Sequence, residues 1–419
     1  MSMAFTSRRM STREVLAATR PSSGQRRIAL YSHDTMGLGH MRRNLLIAQS
    51  LTSANAQHSV LLLTGAFEAK SFAFPPNVDC VTLPALYKTQ TGAYEPRRLG
   101  VSLDELLHLR VQTLLGALRA FDPDVFIVDK EARGALGELD PALEYLSHAG
   151  RSYVVLGIRD VLDEPEVVRR EWAERRTEQA IRAHYNAVWI YGDPKVYDTV
   201  REYGFSPDVA AQARYTGYLD PRQRSALASG TADPLRDLDV EDDRIALCMV
   251  GGGQDGASVA LAFADCELPA ETTGVLVAGP FMPPDMRERL HATARRKPKL
   301  RVVDFTPNPD ALLARADRVI SMGGYNNVCE LLASRKKALV VPRVTPRREQ
   351  WIRAERLQRL GALDVCHPDE LCPEIISGWL AQHKPRISAQ VDRIDLGGLQ
   401  RIPALVRHAV EEVAEGALG

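Results

Sequence analysis

Four places in this chain have residue types and spacing that could do chemistry, each at a switch from an apolar strand to a helix. In Gly37-Leu38-Gly39-His40 the glycines let a ligand approach the backbone, and His40 falls at the start of the helix that follows. The positive end of a helix lowers an imidazole's pKa, and a neutral imidazole can accept a proton. His40 is therefore the candidate general base, with His33 at the preceding strand end as its rival. Asp129 closes the apolar run 125–129, and Arg159-Asp160 closes the run 152–158. Both fall at strand ends, where open α/β sheets collect ligands. Asp129 could orient His40, bind a ligand or cap the next segment, and Arg159 carries the same ambiguity.

Two further glycine clusters read as anion sites. Gly251-Gly252-Gly253-Gln254-Asp255-Gly256 lies between the strand 244–250 and a helix starting near Ala257, and it spells the G-x-G-x-x-G of dinucleotide-binding folds. The acidic residue that such folds place at the end of the next strand is missing, because that strand runs into Gly279-Pro280. The loop is expected instead to cradle a diphosphate with backbone N–H groups and a helix terminus. Gly323-Gly324 follows the strand 318–322 and opens a helix at Asn326-Asn327, with Glu330 inside its first two turns. Neither glycine has a Cβ, and the helix aims unpaired N–H groups and a positive dipole end into the gap. The next strand stops at Pro342, and a polar cluster follows: Arg343, Arg347, Arg348, Glu349 and Gln350.

Other chemistries find less support. Asp122-Pro-Asp124 spells a metal-binding D-x-D, but it precedes its strand and holds a proline, so it reads as a turn. No His, Cys, Asp or Glu set has metal-site spacing, and no metal or cofactor is expected. The G-x-S-x-G of serine hydrolases is absent. Lys+Arg and Asp+Glu each number 53, so no overall field points to nucleic acid. No apolar run reaches the ~20 residues of a membrane span, while peripheral contact with a membrane stays open. Six cysteines, mostly inside apolar runs and without a C-x-x-C pair, fit a reducing cytoplasm.

Positioning these residues takes a large scaffold. The 419 residues suffice for two cores, and 45% hydrophobic with 25% charged is an ordinary globular composition. Residues 1–26 form a basic arm without the apolar segment of a signal peptide. Strands and helices alternate over 27–216 and again over 244–398. Such alternation predicts an α/β chain with two doubly wound, Rossmann-like domains. Residues 217–243, rich in charge and breakers, read as a linker and surface excursion, and 399–419 as a closing helix.

The stretch GGYNNVCELL with ALVVPRVTPRREQWIRAERL resembles the donor half of GT-B glycosyltransferases, in the family 28-like branch of the peptidoglycan N-acetylglucosaminyltransferase. The resemblance is strongest over Gly323–Gln350, moderate at Gly251–Gly256 and Gly37–His40, and thin elsewhere. It implies two domains facing a cleft, with the last helix crossing back onto the first domain. It also implies a glycosyltransferase that moves a sugar from a nucleotide-sugar, expected to be a UDP-sugar, to the hydroxyl of a small molecule or glycan. Inversion without a metal would be the mechanism. Glu330 would take the ribose hydroxyls and Gln350 the sugar hydroxyls, with Glu349 where relatives often carry His. Gly251, Gly253, Gln254, Gly256, Gly323, Gly324, Asn326 and Asn327 would surround the donor, and Phe305 and Thr306 would offer backbone groups to the base. Gly37, Gly39, Tyr87 and Arg159 would meet the acceptor, with His40 and Asp129 as the catalytic pair. A GT-B epimerase of UDP-sugars and a non-catalytic sugar-nucleotide binder are the alternatives.

Overall fold

The computed structural model describes residues 25–34, 39–66, 72–88, 93–222, 238, 240, 244–253, 255–306, 309–382 and 389–416. The basic arm up to residue 24, Gly37, Gln254 and most of the segment 223–243 therefore lie outside the described residues.

The first domain is built on β1 (Arg26–Ser32), β2 (His58–Thr64), β3 (Val78–Thr82), the hairpin strands β4 (Leu86–Lys88) and β5 (Tyr94–Pro96), then β6 (Val125–Asp129), β7 (Tyr153–Arg159), β8 (Ala187–Tyr191) and β9 (Ala213–Tyr215). Seven of these form one parallel sheet in the order β3-β2-β1-β6-β7-β8-β9. β1 shows why its residues make a buried strand. Ile28 and Leu30 face one apolar layer, Ala29 and Tyr31 face the other, and all four are fully buried. A strand covered on both faces needs a continuous apolar run, which is what the sequence offers there.

The second domain holds β10 (Arg244–Met249), β11 (Thr272–Val277), β12 (Leu300–Val303), β13 (Arg318–Ser321), β14 (Lys337–Val340) and β15 (Asp364–Val365). They form a parallel sheet in the order β12-β11-β10-β13-β14-β15. In each sheet the chain works outward in one direction and then returns to work outward in the other. The reversal falls between β1 and β6 in the first domain and between β10 and β13 in the second. Such switch points leave a crevice at the carboxyl ends of the strands, the place where open α/β folds bind ligands.

The domains are joined by more than a tether. Arg353, on the helix Glu349–Arg359, and Asp160, just past β7, are both fully buried and pair through two guanidinium nitrogens. Arg353 also donates to Gly323 O at 3.2 Å, so the domain contact reaches the glycine pair after β13. Tyr218 donates to Asp160 Oδ2 at 2.7 Å. The chain at Gly217–Asp220 is thus buried at the domain junction and is not the surface excursion expected of it: Tyr218 and Leu219 are at most 1% exposed. Their apolar and aromatic bulk fills the seam, while the charged part of that stretch follows. The closing helix, Gly398–Gly416, packs against the helix Gly39–Ala54 and against β6 and β7 of the first domain. The charged run over 165–184 forms two helices, Pro165–Glu174 and Thr177–His184, broken where Arg176 takes a left-handed φ of 52°.

Candidate active site

The two switch points meet across a cavity of about 260 Å³. On the first-domain wall His40 occupies the first turn of the helix Gly39–Ala54. Its Nδ1 lies 2.8 Å from Asp129 Oδ2. Asp129 is 1% exposed and accepts Arg43 Nη2 at 2.5 Å on each oxygen. A carboxylate can only accept, so the imidazole proton sits on Nδ1 and Nε2 keeps its lone pair. Arg43 Nη2 also lies 2.9 Å from Nδ1, but two donors cannot bond each other, so Asp129 is what holds both.

The protonation states follow from the same contacts. Burial lowers the pKa of His40; Asp129 pulls it back up and Arg43 pushes it down, and the balance stays below the ordinary histidine value. Burial raises the pKa of Asp129, yet Arg43 and His40 outweigh it and hold the carboxyl well below the usual carboxylate range. The result at neutral pH is a neutral imidazole backed by a carboxylate. His33, the rival, has its ring centroid 5.2 Å from that of His40, but it is buried behind the wall and does not line the cavity. Burial, with the neighbouring His40, brings its pKa down to about 3.

On the second-domain wall the loop Gly251–Gly253 follows β10, and Gly324 caps the helix Tyr325–Ser334. A Cβ on Gly324 would meet nothing within 4 Å, so the helix terminus opens into free space. Gly253 has another reason to be glycine: at φ +89° a Cβ would come 2.4 Å from Ala278 O. Gly256 likewise packs against Val250 and lies off the cavity lining. Gly323 backs the wall, where its missing Cβ makes room for Gln350 O.

Glu330 lines the cavity at 3% exposure. Asn327 lines it too and donates to Ser321 Oγ at 3.1 Å, which ties the helix to the end of β13. Asn326 Nδ2 reaches across the cleft to Gly39 O at 3.0 Å. Phe305, Thr306 and Gln350 complete this side. Glu349 stands behind it, accepting Arg343 Nη2 at 2.6 Å, while Arg343 also holds Asp255 at 2.9 Å.

The cavity therefore gathers His40, Arg159, Gly251, Gly253, Phe305, Thr306, Gly324, Asn326, Asn327, Glu330 and Gln350, with Asp129 directly behind His40. It does not gather Tyr87, which sits in the β4–β5 hairpin, bonds Glu95 and is off the cavity lining. Asp122 and Asp124 lie at the opposite, amino end of β6; Asp122 pairs with Arg151 and Asp124 accepts the Arg27 amide. Among the described residues no three His, Cys, Asp or Glu side chains converge as metal ligands. Sequence reasoning missed Arg43 as Asp129's partner, although its place one helical turn after His40 puts it on the same face.

Known proteins match this arrangement. Residues 247–383 match the model of the glycosyltransferase family 28 C-terminal domain. An N-acetylglucosamine transferase of Haemophilus influenzae, which acts on UDP-N-acetylglucosamine and N-acetylmuramyl-(pentapeptide) pyrophosphoryl-undecaprenol, is 32% identical over 82 residues. That match spans 20% of this chain and 23% of the transferase. The calicheamicin glycosyltransferase CalG4 superposes with a TM-score of 0.57 at 17% identity, over 93% of this chain and 98% of its own. A UDP-N-acetylglucosamine 2-epimerase superposes at 0.58 and 12% identity, over 91% and 94%. At such identities the superpositions establish the fold. Two Rossmann-like domains closing on one cavity are a GT-B fold, and within its second half residues 247–383 match the glycosyltransferase family 28 C-terminal domain.

Proposed function

We propose that this protein is a glycosyltransferase that moves a sugar from a UDP-sugar to an acceptor hydroxyl, with inversion and without a metal ion. One observation carries the reading: a histidine whose free Nε2 is fixed by a buried carboxylate lines the same cavity as a glycine loop and an open helix terminus. The glycine loop and the Gly324 helix terminus present N–H groups and partial positive charge to the diphosphate. Glu330 accepts the ribose hydroxyls, Phe305 and Thr306 flank the base, and Gln350 reads the sugar. The acceptor hydroxyl has a pKa far above neutrality. His40 Nε2 removes its proton as the oxygen attacks the anomeric carbon, and the bond to the diphosphate breaks on the opposite side. Proton removal by a placed base contributes typically ~10²–10⁴ in rate. Asp129 holds the ring in the productive tautomer and stabilises the imidazolium that forms. The donor is a substrate, and no resident cofactor takes part. The acceptor is a small molecule or glycan that enters along the first domain.

Thermal stabilisation by a panel of UDP-, dTDP-, GDP- and ADP-sugars in EDTA tests this, since a ligand that binds the folded state raises its melting temperature by mass action. UDP-sugars are expected to stabilise most. Equal, small shifts from the whole panel would overturn the donor assignment.

A further inference from the structure

The cavity wall carries a cation, Arg159, that no acid pairs among the described residues. Of the other guanidinium groups on that wall, Arg42 donates to Thr306 O at 3.5 Å, Arg43 is paired with Asp129, and Arg343 with Asp255 and Glu349. The side chain of Arg159, the last residue of β7, lines the same cavity yet makes no hydrogen bond or ion pair among the described residues, and its buried Nε has no partner there. The next residue, Asp160, offers no relief, because it turns the other way and is taken by Arg353. The acids nearest in field to Arg159, Glu349 and Asp129, are likewise committed to Arg343 and Arg43. Burial and the charge of Arg43 pull the pKa of Arg159 down to about 10, so it remains a cation in a setting that disfavours one.

An unmatched, desolvated charge is costly, and a chain that keeps it gains when an anion arrives. The second domain meets an anion with backbone N–H groups and a helix terminus, worth roughly half a charge, because its lining guanidinium, Arg343, is already held by Asp255 and Glu349. A nucleoside diphosphate carries more than that. We propose that Arg159 is a diphosphate-binding residue, supplying from the first domain the full positive charge that the phosphate next to the transferred sugar requires. This rests on the reading of the cavity as a nucleotide-sugar site. In the transfer, the acceptor oxygen bonds to the anomeric carbon and its proton passes to His40 Nε2. The electron pair of the broken bond stays on the phosphate oxygen, where the guanidinium neutralises it. The diphosphate is then held by both domains at once, so the site is complete only when they are together.

Calorimetry on the full chain with UDP and with uridine, for the wild type, Arg159→Gln and Arg159→Lys, tests the assignment. Losing a charge-assisted contact to phosphate should weaken UDP about 10- to 100-fold in Arg159→Gln. Uridine affinity should stay unchanged, and Arg159→Lys should recover part of the loss. Unchanged uridine binding also shows that the variant is folded, and no acid is stranded by the substitution. Equal UDP affinity in wild type and Arg159→Gln overturns the proposal; that result is also expected if the guanidinium meets an anion of the acceptor. Failure of the wild type itself to bind UDP would instead strike the reading of the cavity.

Discussion

Replacing Asp129 with asparagine isolates what the buried carboxylate does for His40. The substitution keeps size and one acceptor oxygen but removes the charge that holds Arg43 Nη2 at 2.5 Å and the imidazole Nδ1 at 2.8 Å. Arg43 is 2% exposed, and an asparagine oxygen can still accept one of its N–H groups. Breaking a buried pair outright costs ~3–5 kcal/mol, so the lower end, about 3 kcal/mol of stability, is expected here. The effect on chemistry is larger. Asp129 raises the basicity of His40, and the remaining Arg43 charge lowers it. Without the carboxylate the ring is a weaker base and loses the bond that fixes its tautomer. A fall in kcat of about 10²–10⁴ follows, the full worth of the base. UDP affinity should hardly change, because neither Asp129 nor His40 is among the groups assigned to the nucleotide. Denaturant unfolding, calorimetry with UDP and a coupled assay of UDP release from a UDP-sugar separate the three effects. Wild-type turnover in a folded Asp129→Asn protein would refute the assignment of His40 as a carboxylate-backed base.

Other outcomes follow from the same geometry. Glu330→Gln should weaken both UDP and uridine by about 2–3 kcal/mol in calorimetry, since charge-assisted bonds to ribose hydroxyls are lost; unchanged affinities would remove Glu330 from the ribose site. Arg353→Met strands Asp160 at the domain seam and should cost ~3–5 kcal/mol in urea unfolding, with Asp160→Asn added to it restoring part of the loss. His33 has a folded pKa of about 3 against an ordinary value near 6.5, so the unfolded chain binds the extra proton in that window. Stability should therefore fall as pH drops from about 6.5 toward 3, by up to ~1.4 kcal/mol per pH unit from this residue. A His33→Gln protein should show a flatter acid slope in unfolding titrations, and an unchanged slope would place the proton elsewhere.

What could be read from the sequence was punctuation. Glycines and a histidine at the ends of apolar runs marked the carboxyl edges of two sheets, and topology then brought His40, Gly251, Gly324 and Glu330 to one cavity, with Asp129 behind His40. The local text could not show which glycines face a ligand. Gly253 and Gly256 belong to a glycine-rich motif, yet their missing Cβ atoms serve contacts with Ala278 and Val250. Nor could it show ion pairing, because the partners are remote in the chain. Arg43 meets Asp129 across 86 residues and Arg353 meets Asp160 across 193. Tyr87 shows the converse. It is expected to meet the acceptor, while the short hairpin that carries it lies off the cavity lining.

Transfer from a UDP-sugar is testable by proton NMR of UDP-N-acetylglucosamine incubated with the full chain in EDTA. A slow release of UDP to water is expected, lost in His40→Ala, with the remaining donor keeping its original anomeric and ring-proton signals. Growth of a second, epimeric UDP-sugar without release of UDP would contradict it and make this chain an epimerase.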